Sequence, residues 1–187
     1  MAAQPLRPIT RFLTLAPPAA GALLLVVMAA SCSTPDDKFP PPCPALDLAP
    51  NAGELTRFTG SGHDVGNVLL QARITAVPAS CKQSAKGQIT ATLHVIADVT
   101  RGPAAAPTLP PVDYFVAVAE GQHVLQEHDF ALVAAFSGTN RQATVAGEDI
   151  ELLLPVTKST SAAAYHIYVG FRLSADELAY NQSLGRK

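Results

Sequence analysis

The stretch "QITATLHVIADV", residues 88–99, alternates apolar and polar side chains with a single exception. Ile89, Ala91, Leu93, Val95, Ala97 and Val99 share one face. Gln88, Thr90, Thr92, His94 and Asp98 share the other, with Ile96 among them. Successive side chains of an extended chain point to opposite faces, whereas a helix returns to one face every three or four residues. This stretch can therefore bury one side only as a strand. A strand leaves its backbone N–H and C=O groups in need of neighbours, so the chain is committed to a sheet.

The same period recurs along the chain. In "VLLQARITAV" (68–77), Val68, Leu70, Ala72, Ile74 and Ala76 point one way, and Gln71, Arg73 and Thr75 the other. Segments 113–120, 130–136, 150–156 and 164–173 add further strands, 54–60 a weaker one, and "HVLQE" (123–127) a candidate. Turn-formers punctuate them in "GSGHD", "PASCKQSAKG", "GTNR", "AGED" and "TKSTS". The expected fold is all-β: an antiparallel, immunoglobulin-like β-sandwich of seven or eight strands with a short C-terminal helix. Tryptophan is absent, which removes the antibody-type core and leaves the general sandwich. "RGPAAAPTLPP" (101–111) reads as an irregular crossing between sheets, because proline cannot donate to a central ladder. The helix is announced by Ser174 and Glu177, spaced as a capping box at the head of "SADELAYN". Leu178 is expected to lie against the sandwich.

The first residues have a different character. Arg7 and Arg11 are the only charged side chains before Asp36, and the unbroken apolar part runs from Ala19 to Ala30. That run is too short for the ~20 residues a spanning helix needs. A basic start, a short apolar stretch and small residues describe a secretory signal. A buried N-terminal helix is the competing reading, and it fails because no polar face appears. "Ala29-Ala30-Ser31-Cys32" resembles the lipobox of bacterial lipoproteins, although that family usually has leucine where Ala29 stands. The resemblance implies cleavage before Cys32, acylation of its thiol, and membrane anchoring through lipid, each buried CH₂ adding ~0.8 kcal/mol. Ser33 rather than aspartate follows the cysteine, which by the same resemblance implies the outer membrane, on its periplasmic face. Residues 1–31 are then the signal peptide, 32–42 the acylated cysteine with a proline-rich tether, and 43–187 the sandwich domain.

Cleavage would leave 187 less 31, or 156 residues, with 11 basic against 15 acidic side chains. A net charge near −4 with no basic stripe argues against nucleic acid as a partner. Cys43 and Cys81 are the remaining cysteines. An even count in an exported chain reads as a disulfide, and closing such a loop stabilises by roughly 4 kcal/mol in the chain-entropy account. "CPALDLAPNAGELTRF", "RGPAA" and "YVGFRLSADELAYN" resemble a group of uncharacterised alphaproteobacterial lipoproteins over most of residues 43–181. That resemblance implies a shared domain and no particular activity.

Candidate sites are few. "HVLQEH" (123–128) lacks the spacing of zinc-protease motifs. On simple strand alternation His123 and Glu127 share a face while His128 points away, so the three do not converge on a metal. His63 beside Asp64 in "GSGHDVGN" could serve acid–base chemistry, but adjacent loop residues are not a catalytic geometry and no nucleophile motif accompanies them. His94 and His166 would approach only if their strands were neighbours. Tyr114, Tyr165, Tyr168 and Tyr180 could line an interaction surface. No catalytic residue, metal ligand or cofactor is assigned. The expected role is non-enzymatic: a lipid-anchored adaptor or structural component of the cell envelope, binding a protein partner through end loops or a strand edge. The alternative is a small-molecule or lipid-binding module with a pocket between the sheets.

Overall fold

The computed structural model describes residues 43–60, 62–84 and 87–185. The signal peptide, Cys32 and the tether lie outside them. In chain order the strands are β1 (Ala45–Leu48), β2 (Glu54–Phe58), β3 (Val68–Ala76), β4 (Ala79–Ser84), β5 (Gln88–Leu93) and β6 (Ile96–Arg101). There follow β7 (Val112–Glu120), β8 (His123–Leu132), β9 (Gln142–Ala146), β10 (Ile150–Pro155) and β11 (Tyr165–Phe171), then the helix α1 (Ala175–Ser183). The protein is an all-β sandwich closed by one short helix. One sheet runs β1-β11-β7-β8, a second β2-β3-β6-β9, and a third β10-β5-β4. Every pair is antiparallel except β1 on β11, which is parallel.

The seven or eight strands expected become eleven, because residues 88–99 divide into β5 and β6, because β1, β4 and β9 are added, and because two expected segments merge in β8. Three long segments each break in two at one level: at Val77-Pro78, at His94-Val95, and at Gly147 to Asp149. Pro78 has no N–H to give a ladder. Its carbonyl instead accepts from the His94 N–H at 3.3 Å, and the Val95 carbonyl accepts from Gly147 at 2.8 Å. The third sheet is thus the continuation of the second beyond a kink. The alternation survives it: Ile89, Ala91, Leu93, Val95, Ala97 and Val99 are all at 3 % exposure or less. A Cβ on Gly147 would stand 2.5 Å from the Tyr114 hydroxyl, so the kink needs a residue without a side chain there.

Three strands escaped the periodicity. "ASCKQS" reads as turn, yet Ala79–Ser84 is β4, with Cys81 opposite Ala91. It is an outer strand with no fully buried side chain, so no apolar period is required of it. β1 and β9 are similarly short and largely exposed. The segments expected at 123–127 and 130–136 form the single strand β8. The crossing at 101–111 does carry the chain from β6 in one sheet to β7 in another.

Between the layers, Tyr114 and Phe171 are the largest fully buried side chains, with Leu55, Leu70, Leu93, Leu132, Leu152 and Leu154 around them. Cys43 and Cys81 form a disulfide with Cα atoms 5.7 Å apart. This ties the chain two residues ahead of β1 to β4. The capping box forms as expected: Glu177 N–H donates to the Ser174 hydroxyl at 3.2 Å, and Ser174 N–H donates to Glu177 Oε2 at 2.8 Å. The docking contact is different. Leu178 remains 36 % exposed, and Asn181 is the buried residue of the helix. Its Nδ2 donates to the carbonyls of Asn51 and Glu54 at 2.8 and 2.7 Å. Those carbonyls lie just before and at the start of β2, so an amide docks the helix there by hydrogen bonds that an alkyl group could not make.

Candidate interaction surface

β8 is the outer strand of its sheet, so one row of its backbone N–H and C=O groups faces away from β7. Its ladder carries a bulge. Ala119 stands opposite Val124 and Val118 opposite Gln126, leaving Leu125 without a partner. The extra residue inverts the alternation. Glu120 pairs with His123 and Val116 with His128, which puts both histidines on the register face of Val116 and Val118. Glu127, opposite Ala117, takes the other face. The expectation that His123 and Glu127 share a face is therefore overturned, because a bulge leaves no mark on a short polar segment. Among the described residues no three His, Cys, Asp or Glu side chains are grouped to hold a metal.

Around the bulge, Val124 is 61 % and Leu125 51 % exposed, large apolar side chains on an open strand edge. The outer face beside them is ordered by Arg172, whose guanidinium bonds Glu127 and Asp129 and lies 4.6 Å over the Phe115 ring. Hydrogen bonds to Glu127 first and Asp129 second hold the Arg172 pKa above its ordinary value, so the cation is fixed. Across the same sheet His166 Nε2 lies 2.8 Å from Asp47, and its ring stacks on Tyr168 at 4.4 Å. Chemically, this region offers strand-edge hydrogen bonding with apolar anchors, the requirements of β-addition.

The other histidines are placed apart. His94 is on the Asp149 carboxylate at 3.2 Å, and its segment and that of His166 lie in different sheets, so the two do not meet. His63 contacts the rings of Phe58 and Tyr180 at 4.9 and 5.0 Å, and makes no hydrogen bond to Asp64 among the described residues. A cleft of about 290 Å³ opens there, lined by Arg57, Phe58, His63 and the first turn of α1. Two of its lining side chains are paired with each other, Arg57 Nε to Glu177 Oε1 at 2.8 Å. Of the tyrosines, Tyr114 and Tyr165 belong to the core, and Tyr168 and Tyr180 are half-buried at the surface. Burial, and secondarily Glu148, push the Tyr114 hydroxyl up to about 12. Both described cysteines are in the disulfide. Cys32 lies outside the described residues.

Two features escaped the sequence reading altogether: the bulge at Leu125, and the pairing of Arg101 with Arg141 at one end of the sandwich. Neither belongs to a short motif. Comparison of the chain with family models, with curated proteins and with solved structures gives no match.

Proposed function

We propose that this protein is a non-enzymatic, lipid-anchored sandwich of the bacterial periplasm, acting as an adaptor or structural component of the outer membrane. The observation that carries the reading is the β8 edge, where exposed Val124 and Leu125 flank a bulge on an outer strand. An outer strand presents unpaired backbone N–H and C=O groups as a template for a partner strand, and the two exposed apolar side chains give that partner something to bury. The Cys43–Cys81 disulfide supports export, because such bridges persist in oxidising compartments. The lipobox-like Ala29-Ala30-Ser31-Cys32 supplies the anchor in this reading. The layers are filled by large side chains, which favours a surface role over an internal pocket.

The test joins anchor and edge. Wild-type protein fed an alkyne fatty acid should be labelled, and Cys32→Ala should not. A photo-crosslinking residue at Val124 should capture an envelope protein in cells, and one at Val65, which is 79 % exposed on another surface, should not. Equal labelling of wild type and variant would remove the anchor. Equal capture from both positions would remove the edge.

A further inference from the structure

Five arginines lie within the described residues, and three of them are neutralised by carboxylates. Arg57 pairs with Glu177, Arg73 with Glu54, and Arg172 with Glu127 and Asp129. Arg101 and Arg141 have no carboxylate partner among the described residues, and they are neighbours. The Arg101 N–H donates to the Arg141 carbonyl at 2.7 Å, and Arg141 Nη2 donates back to the Arg101 carbonyl at 2.9 Å. Between them and the facing loops is a cleft of about 270 Å³, lined by Arg101, Gly102, Ala105, Gly138, Asn140 and Arg141 among others, with no acidic residue in its wall. In a chain with more acidic than basic side chains, this pairing of uncompensated cations is the exception.

We propose that this cleft binds a compact phosphate-type oxyanion, held by the guanidinium groups of Arg101 and Arg141. Guanidinium forks match phosphate oxygens two at a time, and such charge-assisted bonds are about twice as strong as neutral ones. The first arginine is set in advance. Its side chain lies 4.3 Å over the Phe136 ring, and its Nη2 donates to the Pro107 carbonyl at 2.9 Å, so little freedom remains to be lost on binding. Arg101 Nε is buried without a hydrogen-bond partner, so no protein group neutralises that side chain from its inner edge. Small residues keep the opening clear. At Gly102 they are also obligatory, since a Cβ would fall 1.9 Å from the Val68 carbonyl oxygen.

The cleft is at the end of the sandwich where β6 finishes and β9 begins, whereas Cys43–Cys81 sits towards the opposite end. The oxyanion could be a free phosphate or a phosphodiester headgroup, and both present the same oxygens.

Calorimetric titration of the full-length protein in non-ionic detergent decides the matter, with inorganic phosphate and glycerophosphoglycerol, a chain-free lipid headgroup, as separate titrants. Saturable binding is expected for at least one, at least tenfold weaker in Arg141→Gln and unchanged in Arg73→Gln. Phosphate alone binding assigns the cleft to a soluble anion, and glycerophosphoglycerol binding as tightly assigns it to a headgroup. Arg141→Lys keeps the charge without the fork, and should fold as wild type while binding several-fold more weakly. That variant keeps the test open should Arg141→Gln fail to fold. Binding no greater than chloride produces at equal ionic strength, or binding equal in wild type and both Arg141 variants, would overturn the proposal.

Discussion

Two long strand regions of this chain keep their register differently. Along β5 and β6 the alternation passes intact through the break at His94-Val95, and six consecutive inward residues are buried. Along β8 one unpaired residue, Leu125, inverts it. The difference is in what each face is worth. β5 and β6 lie between neighbours on both sides, with one face in the core, and a one-residue slip would carry every apolar side chain into water. β8 is an outer strand whose first residues are exposed on either face, so a slip there displaces almost nothing from the core. Period is enforced where burial is at stake and free to lapse where it is not.

Deletions test that contrast most strongly. Removing Ile96 should abolish cooperative melting, since moving one half of the strand's apolar row off the core face and burying its polar neighbours instead takes most of the ~5–15 kcal/mol a domain has to lose. Removing Leu125 should straighten the β8 ladder for about 1 kcal/mol and leave a cooperative melt. Loss of fold in both deletions, or in neither, would break the comparison.

Leu93→Ala on the committed side should cost about 2–5 kcal/mol in urea unfolding, because the site is buried and closely surrounded. A loss under 1 kcal/mol would mean the kink can collapse around a cavity. Tyr114, on the inner face of β7, is next. Its neutral form is favoured in the folded state, with the hydroxyl pushed up to about 12. That preference is fully present below the ordinary tyrosine value near 10 and is lost as pH rises towards 12, roughly 3 kcal/mol in all. Alkaline melts of wild type should fall across that window, and Tyr114→Phe should fall less. Identical profiles would place the tyrosine in water.

Asn181→Ala should cost about 1–3 kcal/mol, since a fully buried amide and its two hydrogen bonds to β2 and the turn before it are lost. Leu178→Ala, on the exposed side of the same helix, should stay near 0.5 kcal/mol. The smallest effect is expected at the edge itself, where Val124→Lys should change stability by less than about 0.5 kcal/mol while abolishing capture of a partner by a photo-crosslinking residue placed at Leu125. A large destabilisation there would mean the edge is held by the protein's own packing.

Alternation alone located β3, β5 with β6, β7, β10 and β11, because each sends a regular row of side chains into the core. The capping box located the helix start. These are local signals, set by residues two or three apart. The cysteine count likewise led to a bridge that the fold contains. β1, β4 and β9 were illegible for the converse reason, since they bury little and are placed by neighbours far off in sequence.

The surface chemistry was less legible than the core. Arg101 and Arg141 are 40 residues apart and become neighbours only through the β6–β9 pairing and the loops beyond it. His123 and His128 come to share a face through one unpaired residue, and Asn181 rather than Leu178 docks the helix, on two carbonyls far off in sequence. Sequence by itself determined that this chain forms a half-buried sheet, and which face of its central strands goes inward. Hydrophobic burial is decided residue by residue along a strand, and composition records it directly. Tertiary structure alone decided which charges stand together, where the ladder slips and what the helix rests upon. Those outcomes depend on hydrogen bonds and ion pairs between segments, whose partners no local pattern specifies.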